Sequence, residues 1–395
     1  MRILFLASDF PNPVQPTRGT FNRALAEALS RGHDVRCINP IPWLDRLRRR
    51  GAAPAPKRDA LAGGAAVWHP TYFYPLKIFR SGYHRWMIRS IRGAVTQATA
   101  SWKPEVVLAY WAHPDGAAAA SIAKFLSVPS AVIVGGSDVL LLTRHQRRRR
   151  AVVAALQQAD AVITVNRHLQ TKVAELGIRA DKIHVWSQGV DGQVFCPGDK
   201  RAARANLGIG PDVFTFLCVA RLVHVKGIDV LLQACRILAD EAAAFRVFIV
   251  GDGPLRGELE SQAAALALGQ IVAFAGARQP AELGDWYRAA DRTVLPSRSE
   301  GLPNVLRESL ACGTHFIAFD VGGIREIAGD ADVLVVPQEA RPLAQAMLRC
   351  MTQPPPPPPP QQPDWNESAQ ALVQILTNLT PSGRPASQGA ALAQA

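Results

Sequence analysis

None of the six cysteines, Cys37, Cys196, Cys218, Cys235, Cys312 and Cys350, stands at the short spacing from another that a zinc site needs, and several fall within apolar stretches. That pattern suits reduced core thiols of a cytoplasmic protein better than a disulfide framework or a zinc site. No run approaches the roughly 20 apolar residues of a membrane-spanning helix, so membrane association is expected to be peripheral at most. The opening stretch Met1 to Phe10 lacks the long apolar segment and small-residue cleavage site of a secretory signal, and reads as a first strand. Solenoid repeats are missing, and so are the recognition-helix and aromatic–basic patterns of nucleic-acid modules, so nucleic acid is not an expected partner. Acid is scarce. Against 44 Lys and Arg stand 32 Asp and Glu, a net charge of +12 that favours phosphates or an acidic lipid surface as partners.

What is present is enough apolar sequence for two cores: 48% of 395 residues are hydrophobic, and chains of this size ordinarily divide into domains. Short β-branched and aliphatic runs alternate with helix-length segments, the pattern of parallel sheets with crossover helices. The first series is Ile3 to Ala7, Val35 to Ile38, Val106 to Ala109, Ser130 to Val134 and Ala161 to Val165. The second is Phe214 to Ala220, Arg246 to Val250, Ile271 to Ala275, Arg292 to Leu295, Thr314 to Ala318 and Val333 to Val336. Between them, Gln188 to Pro211 has the Gly, Pro and charge content of a linker. The expected fold is α/β, two Rossmann-like doubly wound domains facing a cleft, since such sheets bind ligands beyond the carboxyl ends of their strands. The boundaries follow as a first domain over 1–190, a second over 191–353, a proline-rich linker over 354–363, a helix over 364–379, and a disordered tail over 380–395. Pro354 to Pro360 should form a polyproline II rod, and Leu44 to Lys57 is too basic and Pro/Ala-rich for a core.

Three stretches carry chemistry. In Glu300-Gly-Leu-Pro-Asn-Val-Leu-Arg-Glu308, Pro303 suits the first turn of a helix, which places Glu300 in the preceding loop and Glu308 about two turns inside. The free amides of that helix start, with Gly301 allowing close approach, suit phosphate or sugar hydroxyls, and the Glu300 carboxylate can accept hydrogen bonds from a sugar. Arg221-Leu-Val-His-Val-Lys226-Gly227 follows a strand directly, and its two cations can neutralise a diphosphate and stabilise it as a leaving group. Val250-Gly-Asp-Gly253 is a third strand-to-helix turn, whose glycines can equally serve the turn alone.

Taken together, Arg221 with Lys226-Gly227, Gly251-Asp-Gly253-Pro254, Glu300 with Glu308, Ala311-Cys-Gly313 and Gly322-Gly323 with Glu326 resemble the C-terminal domain of the retaining glycosyltransferases of family 4, which have the two-Rossmann-domain architecture known as GT-B. The resemblance implies that Arg221 and Lys226 grip the donor diphosphate, that Glu308 holds the ribose, and that Glu300 with the amides of Gly301 and Leu302 holds the donor sugar. It implies retention of anomeric configuration by front-face attack, with no divalent metal and no cofactor beyond the nucleotide diphosphate sugar, UDP- or GDP-linked, that serves as donor.

The first half is similar to the family in looser form, and the resemblance implies that 1–190 is the acceptor domain, 191–353 the nucleotide-sugar domain and the helix over 364–379 a return to the first domain. Gly19 and Thr20, in the loop after the first strand, are candidate donor contacts. Tyr110-Trp111-Ala-His113-Pro-Asp115-Gly and Gly135-Gly-Ser137-Asp138 resemble the paired loops on the acceptor side, with His113 the candidate catalytic histidine and Trp111, Asp115, Ser137 and Asp138 candidate acceptor contacts. His33 reads as structural. Many family members carry a histidine before Gly-Ser-Asp where this chain has Gly135, and a proline after Ala-Cys-Gly where it has Thr314-His315. Within the family the opening and the Trp111 loop look most like bacterial transferases of exopolysaccharide or teichuronic-acid-type assembly. Their acceptors are glycans or polyisoprenyl-linked sugars at the inner face of the plasma membrane. Arg46 to Arg50, Arg144 to Arg150 and Tyr83 to Arg89 have the basic and aromatic character for an anionic membrane surface there. The alternatives are a non-catalytic homologue that binds nucleotide or membrane, and a sugar-nucleotide epimerase on the same fold.

Overall fold

All five residues of Ser130–Val134 and of Val106–Tyr110 are buried, as parallel strands must be when helices cover both faces of their sheet. This holds for both halves of the chain. The computed structural model describes residues 1–16, 18–48, 58–76, 78–241 and 244–379. Arg49 and Arg50 of the first basic stretch, the Pro/Ala-rich segment through Lys57 and the tail from Thr380 lie outside the described residues. The chain divides into two units, Met1–Gly189 with the segment from Trp365 onward, and Val190–Asp364.

The strands of the first unit are β1 (Arg2–Leu6), β2 (Asp34–Ile38), β3 (Ile41–Pro42), β4 (Arg58–Ala60), β5 (Ala66–Trp68), β6 (Thr71–Tyr72), β7 (Val106–Tyr110), β8 (Ser130–Val134), β9 (Ala161–Thr164) and β10 (Ile183–Val185). Eight of them form a sheet in the order β10-β9-β8-β7-β1-β2-β5-β4, while β3 and β6 pair separately. All neighbours in the large sheet are parallel except β4 and β5. The second unit has β11 (Phe214–Val219), β12 (Phe245–Val250), β13 (Val272–Gly276), β14 (Arg292–Leu295), β15 (Phe316–Phe319) and β16 (Val333–Val335), ordered β13-β12-β11-β14-β15-β16 and parallel throughout.

In both sheets the chain builds outward from one strand and then reverses direction, between β1 and β7 and between β11 and β14. That is the doubly wound arrangement, and the reversal leaves a crevice at the carboxyl ends of the two central strands. The cores lie between sheet and helices: Phe216, Leu232, Val247, Ile249 and Met347 are buried in the second unit, and Leu4, Met87, Ile91 and Val107 in the first. Gln188 to Pro211, with the composition of a linker, contains the helix Lys200–Leu207, opened by Asp199, whose side chain accepts from the amides of Arg201 and Ala202. Arg204 on that helix pairs with Asp291 at 2.7 Å, which fastens the segment to the second unit. The proline run belongs to the second unit as well. The helix Trp365–Thr377 belongs to the first, where it packs on the helix Thr20–Ser30 and takes the indole N–H of Trp186 on the Ser368 carbonyl at 2.8 Å.

Candidate functional site

The crevice of the second unit is walled by the loops that follow β11 and β14. After β11, Ala220 to Lys226 ends in Gly227, which opens the helix Ile228–Glu241 at φ 65°. A Cβ at Gly227 would meet the Pro296 carbonyl oxygen at 2.0 Å, so only glycine lets the two loops touch. Arg298 then joins them: its amide donates to the Val225 carbonyl at 2.8 Å, and its guanidinium donates to the His224 carbonyl and pairs with Asp229 at 2.6 Å. The result is that Lys226 Nζ lies 2.6 Å from Glu300 Oε1, in a partly buried ion pair. Arg221, exposed at the carboxyl end of β11, makes no ion pair or side-chain hydrogen bond among the described residues.

The Glu300 loop is held from the other side. Gly322, at φ 59°, would push a Cβ to 1.9 Å from the Glu300 carbonyl oxygen, and the Gly323 amide donates to the Gly301 carbonyl at 3.0 Å. Pro303 sits at the N-cap and the helix runs Asn304–Ala311, so Glu308 is just over one turn inside it, closer to its start than the two turns expected. Tyr287 O–H donates to Glu308 Oε2 at 2.8 Å. Burial pushes the Glu308 carboxyl up to about 7, against the pull of that hydrogen bond and of Arg307. Neither Tyr287, which lies on the helix Pro280–Ala289, nor the buried Arg307, whose two terminal nitrogens find no partner, carried a signal in the sequence. The first has no spacing relation to Glu308, and the second reads as an ordinary surface arginine.

In the first unit the corresponding crevice lies between β1 and β7. Gly19 is the N-cap of Thr20–Ser30 at φ 61°, pressed so close to the Asp9 carbonyl that a Cβ would lie 2.1 Å from its oxygen, and Thr20 begins the helix. Asp115 is fully buried and accepts from the amide and hydroxyl of Ser8, at 2.6 and 2.9 Å, tying the loop after β7 to the end of β1. Asp138, also fully buried, accepts from the amides of Ala112, Gly136 and Val139. Both carboxylates are thus turned inward and hold loops, whereas Trp111 is partly exposed and Ser137 is exposed. His113 is buried, with Nε2 3.1 Å from the Ser81 carbonyl oxygen and 3.3 Å from His84 Nδ1. Burial, and then the neighbouring His84, lower it to about 4, so it is a neutral imidazole with only Nδ1 uncommitted. Among the described residues no group of three His, Cys, Asp or Glu could hold a metal ion, and no helix is long and apolar enough to cross a membrane.

Comparison with known proteins gives the family and the fold. The model described as Glycosyltransferase Family 4 matches residues 19–216, and that described as Glycosyl transferases group 1 matches residues 199–371. A Bacillus subtilis protein named for teichuronic acid biosynthesis as a glycosyltransferase is 29% identical over 88% of this chain and 89% of its own. A D-inositol 3-phosphate glycosyltransferase of Catenulispora acidiphila is 35% identical over 46% of each chain. Among solved structures, sucrose-phosphate synthase from Thermosynechococcus elongatus superposes with a TM-score of 0.75 at 21% identity over 95% of both chains. Anabaena HepE in complex with UDP-glucose superposes at 0.67 and 20% identity, again over 95% of both.

Proposed function

Because the chain belongs to glycosyltransferase family 4, we propose that it is a retaining transferase that binds a UDP- or GDP-linked sugar in its second unit, without a divalent metal. The acceptor in this reading is a glycan or polyisoprenyl-linked sugar of bacterial exopolysaccharide assembly, met at the cytoplasmic face of the membrane. The Lys226–Glu300 pair at the β11/β14 reversal, beside an uncommitted Arg221, carries the donor assignment. A diphosphate needs cations held in place before it arrives, and a sugar needs a carboxylate acceptor next to them. Lys226, already fixed by Glu300, and Arg221, free to turn, take the phosphates. Glu300 and the amides of Gly301 and Leu302 take the sugar, and Glu308 takes the ribose hydroxyls.

In the reaction, the bond from the anomeric carbon to the β-phosphate oxygen breaks as the acceptor oxygen forms its bond on the same face. The acceptor's proton passes to the departing phosphate, whose negative charge Arg221 and Lys226 offset. On the first unit, Gly19 and Thr20 offer helix-start amides to phosphate, Trp111 and Ser137 offer exposed contacts to the acceptor, and His113 offers Nδ1. Asp115 and Asp138 act by fixing those loops. Uridine as the base is supported by a structural neighbour solved with UDP-glucose, and surface-polysaccharide assembly by the relative named for teichuronic acid biosynthesis.

Calorimetry with UDP and GDP in metal-free buffer tests the donor site. One nucleotide should bind, and Lys226→Ala should weaken it about 10- to 100-fold, the loss expected for a charge-assisted hydrogen bond. Equal affinity in the variant contradicts the assignment of Lys226, and no binding of either nucleotide contradicts the donor site. Epimerised sugar without any glycoside among the products would sink the transferase chemistry.

A further inference from the structure

Four large apolar side chains stand out in solvent just after β6: Phe73 is 58% exposed, Leu76 47%, Ile78 56% and Phe79 74%. Phe79 has a left-handed backbone, φ 51°, an uncommon conformation for a bulky residue. Next in the chain comes the helix Tyr83–Thr99, with Met87, Ile91, Val95 and Ala98 buried beneath it. Its outer face carries Trp86, Arg85, Arg89 and Arg92, all exposed, and the three arginines recur at helical spacing on one stripe. The turn Arg80–Gly82 packs against the helix Gln146–Gln158, which brings Arg147 and Arg150 up to Ser81 and His84 around a cavity of about 340 Å³. Among the described residues none of Arg80, Arg85, Arg89, Arg92, Arg147 and Arg150 makes an ion pair or side-chain hydrogen bond. Acid is missing from the neighbourhood too: none lies between Asp59 and Glu105, and between Asp115 and Asp160 there is only Asp138, which is fully buried.

We propose that this face of the first unit docks on an anionic phospholipid bilayer, with Leu76, Ile78 and Phe79 entering the acyl boundary and the Ser81–His84–Arg147–Arg150 cavity receiving a lipid phosphate. A soluble surface seldom keeps aliphatic and aromatic side chains together this far out unless something covers them. The covering partner must tolerate bare apolar contact and satisfy a ring of unpaired guanidinium groups, and a bilayer of acidic lipids does both at the same depth. A nucleic acid would satisfy the arginines and leave Ile78 and Leu76 without partners. The inference rests on the reading that the enzyme meets its acceptor at a membrane, and it names the surface that does so.

The test is flotation of the full chain with vesicles of phosphatidylcholine alone and of phosphatidylcholine with phosphatidylglycerol, at low salt. The chain should float with the second and stay behind with the first. The double variants Ile78→Asp with Phe79→Asp, and Arg147→Glu with Arg150→Glu, should each lower the bound fraction by about tenfold. Both pairs are exposed, so melting temperature and calorimetric binding of the nucleotide should stay at the parent values. No flotation with acidic vesicles, flotation indifferent to lipid charge, or flotation unchanged in both variants would overturn the docking face. Nucleotide binding in the same samples separates the two readings: vesicle binding without nucleotide binding leaves the docking face standing and removes the donor site, and the reverse result does the opposite.

Discussion

Glu308 is a carboxylic acid placed where it gains a proton on folding. Its value rises from 4.5 to about 7 because burial outweighs the Tyr287 hydroxyl and Arg307. Between those two values the folded chain therefore binds more protons than the unfolded one, and stability falls as pH climbs through that window, by at most about 3 kcal/mol. Glu308→Gln keeps an acceptor for Tyr287 and has no proton to lose, so its unfolding free energy in denaturant should be flat across the window where the parent's declines. A parallel decline in both would show that Glu308 is not the group responsible. Glu300 poses a different question, because its partner Lys226 is expected to serve a ligand. Glu300→Gln leaves an amide that still hydrogen-bonds Lys226 while losing the ion pair. Turnover should drop by about 10- to 100-fold with the nucleotide still bound, and unchanged turnover in a product assay would remove Glu300 from the sugar site.

At the scale of loops and elements, the close approach of Gly227 to Pro296 decides whether the Lys226 and Glu300 loops meet. Gly227→Ala puts a methyl group 2.0 Å from a carbonyl oxygen in a left-handed conformation. It should cost about 1–3 kcal/mol of stability and weaken nucleotide binding together with it; a variant as stable as the parent would mean the loops part without penalty. The proline run is fastened by a device the sequence did not disclose. His315, which opens onto β15, donates from one ring nitrogen to Asp332 at 3.0 Å and from the other to the Pro357 carbonyl at 2.8 Å. Two acceptors call for two N–H groups, hence the imidazolium. Burial alone would lower its pKa, but the Asp332 and Pro357 hydrogen bonds raise it above 6.5. The stability this adds is complete below 6.5 and lost as pH rises through the raised value. His315→Phe should erase that dependence in denaturant unfolding measured below 6.5 and well above it, and a variant that keeps the dependence would place it elsewhere.

Elements that advertise themselves by pattern were legible in the sequence, and Arg292 to Leu295 and Ser130 to Val134 are strands at the expected bounds. The short strands between Ile41 and Tyr72 were not, since Pro and Gly interrupt them and only neighbouring strands select their conformation. Lys200–Leu207 was hidden by its linker-like composition, because the Arg204–Asp291 pair that fastens it depends on a partner far along the chain. Within the site, Arg221, Lys226 and Glu300 were marked by spacing after strands. The inward turn of Asp115 and Asp138 was not, because a carboxylate collecting backbone amides looks in sequence like one facing a ligand.

For the whole molecule the telling feature is that the chain passes between its two units twice, at Gly189/Val190 and at Asp364/Trp365. The segments at these passages are bonded to each other, the Val190 amide donating to the Pro363 carbonyl at 2.9 Å. The helix Trp365–Thr377 is thereby an essential layer of the first unit, though the sequence places it after the whole of the second. It buries Ala369, Leu372 and Leu376 and supplies the only carbonyl, among the described contacts, that Trp186 Nε1 meets. Burying two leucine side chains contributes about 3–6 kcal/mol, a large part of what a domain has to spare. Ending the chain after Asp364 should therefore loosen one unit and leave the other intact. Hydrogen exchange resolved along the sequence should quicken in Thr20–Ser30 and near Trp186 while β11 to β16 keep their protection, and Leu372→Ala should give the same pattern in weaker form, at about 2–5 kcal/mol. Equal quickening in both units would mean that the units unfold as one, and no quickening at all would mean that the first unit closes its core without this helix.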